Sequence, residues 1–289
     1  MPLHKNVVLL GGDRREVELY RRWREQGMKV KMAGFEHCPE VAKADIFTES
    51  DLQDAAVLIA PLTGIKENGT VSAIYADEAL SVIPIIKRSP RQSIVLAGSV
   101  APAVQAHLQG RELIITGDDA ELALLNAVPT AEGAIQKAME LSDLTLHGSC
   151  CLVIGLGRCG RVLAGKLQGL GAKVTAVVRC PETAALAETM ALDAVFPAQL
   201  DRIVCRAEFV FNTVPAPVLH AALIARMLPE AVVLDLAAAP GGTDFQAAEN
   251  LGIKAVLLPG LPGKRAPRSA ARILERVYGR ILNEVGEKR

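Results

Sequence analysis

Leu152-Val153-Ile154-Gly155-Leu156-Gly157-Arg158-Cys159-Gly160 decides how this chain is read. Three apolar residues make a short strand that runs directly into glycines at the first, third and sixth positions of a G-x-G-x-x-G loop. The first glycine permits a tight turn, the second lets backbone approach a pyrophosphate, and the third lets helix pack closely on strand. A helical stretch follows to Gly169, and a second apolar strand covers 174–178. Strand, loop, helix and strand at this spacing specify a dinucleotide site. The helix opening near Arg158 turns N–H groups and a positive dipole end toward the phosphates. Gly155, Gly157, Arg158, Cys159 and Gly160 are the first candidate cofactor-binding residues.

The residue that ends the second strand selects the dinucleotide. An acidic side chain about 20 residues after the first glycine holds the ribose hydroxyls of NAD. That place belongs here to Arg179, and Val177-Val178 before it carries no acid. A guanidinium attracts a 2′-phosphate and binds it through parallel hydrogen bonds, so the expected cofactor is NADP(H).

The 289 residues suggest two domains, and with 50% hydrophobic and 22% charged residues each can bury a core. Only 3% are aromatic; Ala, Val, Leu and Ile fill the interior, as in parallel strands covered by helices. Lys and Arg number 32 and Asp and Glu 32, without a basic stripe interleaved with aromatics, which argues against a nucleic-acid partner. Zero net charge is compatible with assembly into oligomers. No run approaches membrane-spanning length and no secretory signal is read at the start. The six cysteines form no CxxC pair and keep no metal-ligand spacing with the five histidines, so no metal is expected and the protein reads as reduced and cytosolic.

Strands are expected over 7–10, 29–32, 57–60, 94–97 and 113–115 in the first half, and over 152–154, 174–178, 209–211, 232–234 and 255–258 in the second, with helices between. The segment 62–71 reads as a loop. This alternation predicts an α/β protein of two doubly wound parallel-sheet domains: a flavodoxin- or Rossmann-like substrate domain over 1–128, and a Rossmann dinucleotide-binding domain over 129–289 that includes a final amphipathic helix over 270–285. Pro129-Thr130-Ala131-Glu132-Gly133 reads as the start of a linking helix facing an interdomain cleft, with Thr130 as N-cap and Glu132 in the first turn.

Ligands of open parallel sheets lie beyond the carboxyl ends of the strands. The rule singles out Asn212, Thr213, Val214 and Pro215 after one strand, Asp235, Leu236 and Ala237 after the next, and Pro259 and Gly260 after the last. In the first half, Gly11-Gly12-Asp13-Arg14-Arg15 is expected to hold an anion with N–H groups and a guanidinium, and Pro61-Leu62-Thr63-Gly64 to offer a hydroxyl or N–H to a carboxylate. Candidates for proton transfer are His220, five residues beyond Pro215, and the carboxylates Asp13, Glu132 and Asp235. Cys159 lies where a helix N-terminus lowers a thiol pKa, though a spacer role is the plainer reading. His4, His37, His107 and His147 fall outside the strand-end loops on this reading.

Seven segments in one order resemble the family of dipicolinate synthase A subunits: GGDRR (11–15), AVPTAEGAI (127–135), LHGS (146–149), GLGRCG (155–160), NTVP (212–215), LDLAAAPGGTDF (234–245) and PGLPGKRAP (259–267). The glycine block is common to many dehydrogenases; PGGTDF with PGLPG is far more particular. The resemblance implies NADP in the second domain and oxidation of dihydrodipicolinate to dipicolinate by hydride transfer in the cleft. It also implies a partner, the B subunit of dipicolinate synthase, which resembles flavoprotein decarboxylases, and a place in the mother-cell cytoplasm of a sporulating bacterium. On that basis Arg15, Thr63, Gly64 and Thr130 are expected to bind the two carboxylates, and Glu132, His220 or a water to take the proton. Two alternatives stand beside it: a 2-hydroxyacid-dehydrogenase-like oxidoreductase, and a non-catalytic NADP-binding scaffold. The former needs an acid–base histidine, which 259–266 lacks.

Overall fold

The computed structural model describes residues 6–287. It divides into two units, Met1–Ala123 with Ala266–Arg289, and Leu124–Arg265. The first unit carries β1 (Asn6–Leu10), β2 (Val30–Ala33), β3 (Ala55–Ile59), β4 (Thr70–Val71), β5 (Leu80–Ser81), β6 (Ile94–Ala97) and β7 (Glu112–Ile115). Its main sheet is parallel, in the order β2-β1-β3-β6-β7. Val7 to Leu10, Val57 to Ile59 and Ile94 to Ala97 are buried throughout, as strands covered on both faces must be. The segment expected as a plain loop contributes β4 to a small antiparallel pair with β5.

The second unit carries β8 (Cys150–Ile154), β9 (Lys173–Val177), β10 (Asp193–Val195), β11 (Phe209–Asn212), β12 (Val232–Asp235) and β13 (Lys254–Leu257). Their order, β10-β9-β8-β11-β12-β13, is that of a dinucleotide-binding Rossmann sheet, and every pairing is parallel. Side chains alternate between its two faces. Cys151, Val153, Phe209, Phe211, Val232 and Leu234 enter one core, and Leu152, Ile154, Val210 and Val233 the other.

Three expectations are corrected. The segment around Pro129 starts no helix: one continuous helix, Ala120–Leu141, runs through it with Pro129 inside. Thr130 is therefore no N-cap, and its hydroxyl donates back to the Asn126 carbonyl at 2.7 Å, a bond hydroxyls make inside helices. The final helix, Pro267–Glu287, belongs to the first unit and not to the second domain. Its stripe of Ala270, Ala271, Leu274, Val277, Tyr278, Ile281, Leu282 and Val285 is buried. Arg22 and Gln26, at the end of the helix that follows β1 (Arg14–Glu25), both bond Glu275 of the final helix at 2.5–2.6 Å.

The third correction concerns the Gly11–Gly12 turn. The helix it opens is closed by its own carboxylates: Asp13 accepts from the Arg15 N–H (2.9 Å) and Glu16 from the Asp13 N–H (2.7 Å), a complete capping box. Arg15 is only 5% exposed and holds Asp13 through Nε (3.0 Å) and a terminal nitrogen (2.9 Å). Its fork is engaged within the protein, so Arg15 is a structural cation and not the carboxylate-binding group expected. Burial works against the charge of Arg15, but Glu16 and Asp13 together raise its pKa.

Burial also pushes Glu16 up to about 7, with Arg15 opposing and Asp13 assisting. The folded protein thus holds this proton more tightly than an ordinary carboxylate at 4.5. The resulting stability is fully present below that value and is lost as pH rises through about 7. Glu16→Gln keeps an acceptor for the cap and loses the titration. Its unfolding midpoint, measured against the parent by thermal denaturation, is expected to climb relative to the parent between those two pH values. A constant difference contradicts the assignment.

Candidate functional site

The strand order of the second sheet reverses between β8 and β11, and the loops after these strands face each other there. Gly155 has φ +89°, and a Cβ on it would meet Thr213 Oγ1 at 2.7 Å and Val214 Cγ2 at 2.6 Å. A Cβ on Gly160 would lie 2.0 Å from the Gly155 carbonyl oxygen, so this glycine lets the helix sit on the turn. Gly157 differs from both. Its φ of −75° suits any residue, and beyond its own chain neighbours no atom of the described residues lies within 4 Å of the place its Cβ would take. The helix Arg158–Gly169 has no side-chain cap, so its first N–H groups open onto that space. An uncapped N-terminus beside a cradle that a Cβ would fill fits a pyrophosphate.

Thr213 clamps the loop, with Oγ1 bonded to the Ile154 carbonyl (2.9 Å) and the Gly155 carbonyl (3.1 Å). Asn212 and Asp235 are wholly buried. Asp235 Oδ2 accepts from Asn212 Nδ2 (3.0 Å), the Gly242 N–H (2.8 Å) and Thr243 Oγ1 (2.7 Å), while Oδ1 accepts from the Ala237 N–H (3.0 Å). Asn212 also bonds both backbone groups of Val214, at 3.0–3.1 Å. Neither side chain offers a polar group to a ribose or an amide, nor is Asp235 placed to move a proton. They hold the turns in which Val214, Leu236 and Ala237 sit. Pro215, Pro259 and Gly260 are exposed at strand ends of the same sheet.

Arg158 and Arg179 are exposed, and neither has a carboxylate within ion-pair distance among the described residues. Arg179 stands two residues beyond β9, where the sequence placed it. Burial raises the Cys159 thiol to about 11, so it stays protonated near neutrality and the expected lowering by the helix end does not occur. Cys180, beside Arg179, is shifted down by its Thr183 hydrogen bond.

Glu132 is exposed and paired with Lys166 at 2.8 Å. Lys166 lies two turns along the helix from Arg158, about 12 Å at 1.5 Å per residue, so Glu132 sits away from the phosphate end. The proton-accepting role expected of Glu132 rested on a helix start that does not exist. His220 is exposed before the short helix Ala221–Ile224, and no carboxylate orients it among the described residues. His37 is closer to a strand end than expected, four residues past β2, and pairs with Asp77 in an exposed contact of 3.1 Å. His4 lies outside the described residues.

In the first unit Thr63 is exposed, with no hydrogen-bond partner for its hydroxyl among the described residues. Gly64 has φ +79°, and its missing Cβ makes room for Ser99, whose Oγ would lie 2.0 Å away. Sequence reasoning missed Ser99. It follows β6 as Gly64 follows β3, and the strand-end rule applied to 94–97 finds it. Arg161 is exposed on the first turn of the glycine-loop helix, with its Nε 3.4 Å from the Gly157 carbonyl.

Fold and loop together define a dinucleotide-binding protein of the dehydrogenase type. Residues 125–240 match the D-isomer specific 2-hydroxyacid dehydrogenase NAD binding domain, and residues 6–116 match the N-terminal domain of the dipicolinate synthase A subunit. The A subunit of dipicolinate synthase from Bacillus subtilis is 32% identical over 287 residues, covering 96% of each chain. The crystal structure of the A subunit from Bacillus halodurans superposes with a TM-score of 0.87 at 34% identity, over 96% of this chain and 98% of that one. The crystal structure of the Bacillus subtilis A chain gives 0.87 at 31%, over 100% and 99%. The chain belongs to the family of dipicolinate synthase A subunits. Its cofactor is a nicotinamide dinucleotide, held by the second unit.

The glycine geometry separates binding from folding. Gly157→Ala is expected to leave the unfolding temperature unchanged while weakening dinucleotide binding at least about tenfold, the scale of losing one charge-assisted hydrogen bond. Gly160→Ala is expected to lower the unfolding temperature, because its Cβ meets backbone. Thermal denaturation and calorimetric titration of both variants check this, and a destabilised Gly157→Ala with intact binding contradicts it.

Proposed function

We propose that this chain is the NADP-dependent oxidoreductase component of a dipicolinate synthase, oxidising dihydrodipicolinate to pyridine-2,6-dicarboxylate. The observation that carries the cofactor preference is Arg179, exposed and without a carboxylate partner among the described residues, at the strand end where an acidic residue selects NAD. The substrate follows from family membership, since the curated relative is named for dipicolinate synthesis. The bound oxidised dinucleotide supplies the hydride acceptor. The substrate ring also gives up one proton and becomes aromatic, which lowers the demand on a protein base.

The loops of the second unit agree with that low demand. Residues 213–219 and 236–243 carry no ionisable side chain, and 259–266 no histidine. This counts against a 2-hydroxyacid dehydrogenase, which needs an oriented acid–base histidine. His220, with no orienting carboxylate among the described residues, is assigned no more than a relay to water. Thr63 and Ser99, with backbone N–H groups near Gly64, are the groups we assign to a substrate carboxylate. The curated relative is one subunit of its synthase, which supports a second, different chain as partner here.

The test mixes the purified chain, alone and with its partner, with NADP+ and enzymatically generated dihydrodipicolinate, following NADPH absorbance. A rise is expected in at least one mixture. No signal in either favours a non-catalytic scaffold. Arg179→Gln is expected to weaken NADP+ about 10- to 100-fold, as losing a charge-assisted pair does, and to leave NAD+ little changed. Equal effects on the two cofactors overturn the assignment of Arg179.

A further inference from the structure

We propose that Ser72 and Ile74 form a second substrate subsite in the first unit: the Ser72 hydroxyl donates to a carboxylate oxygen, and the Ile74 side chain lies against the ring. This rests on the reaction proposed above, in which Thr63, Ser99 and the backbone near Gly64 hold one of two carboxylates. A cyclic dicarboxylate needs both ends held if one ring carbon is to be aligned with the cofactor.

The segment 72–75 lies across the exit of β1. Ala73 forms a parallel bridge with Gly12, the Gly12 N–H donates to the Ser72 carbonyl at 2.7 Å, and the Ile74 N–H donates to the Gly12 carbonyl at 3.2 Å. The Tyr75 carbonyl accepts from the His37 N–H at 2.9 Å, and the Tyr75 ring stacks on Phe35 at 5.7 Å. Gly11 and Gly34, at φ +65° and +79°, make room for the segment. A Cβ on the first would meet the Ser72 carbonyl oxygen at 2.7 Å, and one on the second would meet the Ala73 Cβ at 3.1 Å. The backbone is thus fixed from the ends of β1 and β2. Side chains alternate along extended chain. Ala73 faces the two glycines, so Ser72 and Ile74 point the other way, beyond the strand ends, where ligands of open parallel sheets bind.

Neither side chain is used by the fold. Ile74, 59% exposed, is the most exposed large hydrophobic side chain among the described residues. Ser72 is half-buried, but its hydroxyl has no hydrogen-bond partner among them. No unpartnered side-chain oxygen there is buried, so this one is open to solvent. Arg14 and Arg15 balance Asp13 and Glu16 in the adjoining turn, so an anion meets no net negative charge. Strands β1 and β3 pair directly, about 4.8 Å apart, and one six-membered ring can span their two exits.

The test is calorimetric titration of the full chain, alone and with its partner, with pyridine-2,6-dicarboxylate in the presence of NADPH. Titration with NADP+ and thermal denaturation accompany it. Ser72→Ala is expected to weaken dicarboxylate binding about tenfold, the scale of losing a hydrogen bond to a charged group, and to raise KM for dihydrodipicolinate with little change in kcat. Ser72→Thr, which keeps the hydroxyl, retains most of the affinity. Ile74→Ser weakens the dicarboxylate as well, and Ile74→Leu does so less. NADP+ affinity and unfolding temperature stay as in the parent for all four variants, which separates a ligand contact from a structural role. Parent-like dicarboxylate affinity in Ser72→Ala overturns the proposal and leaves the proposed reaction standing, as does a loss that merely follows a fall in unfolding temperature. A parent chain that binds no dicarboxylate in either mixture contradicts the proposed reaction itself, and the subsite falls with it.

Discussion

The buried carboxylate of Asp235 is the constraint on which the dinucleotide unit depends. A wholly buried charge is tolerated only when it is paired or fully hydrogen-bonded. Here four donors surround it: the Asn212 amide, the Thr243 hydroxyl and the N–H groups of Ala237 and Gly242. Those donors come from the ends of two adjacent strands and from the turn beyond, so one carboxylate fixes the exits of β11 and β12 together. Thr213, next to Asn212, then grips the carbonyls of Ile154 and Gly155, which carries the same rigidity into the glycine loop. The apolar turn residues at these strand ends owe their placement to the buried Asn212 and Asp235 side chains.

The two units use the same construction with opposite outcomes at the helix after the first strand. In the first unit, Asp13 and Glu16 occupy the N–H groups and Arg15 is drawn in against them. In the second, Gly157 stands at the equivalent cap with no side chain, and the helix end stays open. A pair of carboxylates already fills the place an anion would take in the first unit. That is why a Gly-Gly turn followed by two arginines makes no second phosphate site.

Much of this was readable from residue order. The apolar runs gave nearly every strand of both sheets, because buried parallel strands need apolar residues on both faces. The glycine loop was legible from spacing alone, as was the position of Arg179 just past the end of β9. What escaped had local patterns pointing elsewhere. Asp193-Ala194-Val195 is a short, partly exposed edge strand without an apolar run. Thr130 and Glu132 resemble a helix start, but the alanine-rich stretch from Ala120 was already helical and carried Pro129 through. The final helix shows its amphipathic stripe in sequence, yet a stripe does not name the surface it covers. Asn212 and Asp235 stand at strand ends like ligand contacts. Only the hydrogen-bond partners reveal them as supports.

The central claim is that the second unit grips a nicotinamide dinucleotide phosphate at the β8–β11 switch point. Side-by-side calorimetric titration of the unmodified chain with NADP+ and NAD+ tests it most directly. The account predicts one saturable site per chain with clearly tighter binding of NADP+. Absence of binding heat with both, or tighter binding of NAD+, contradicts it.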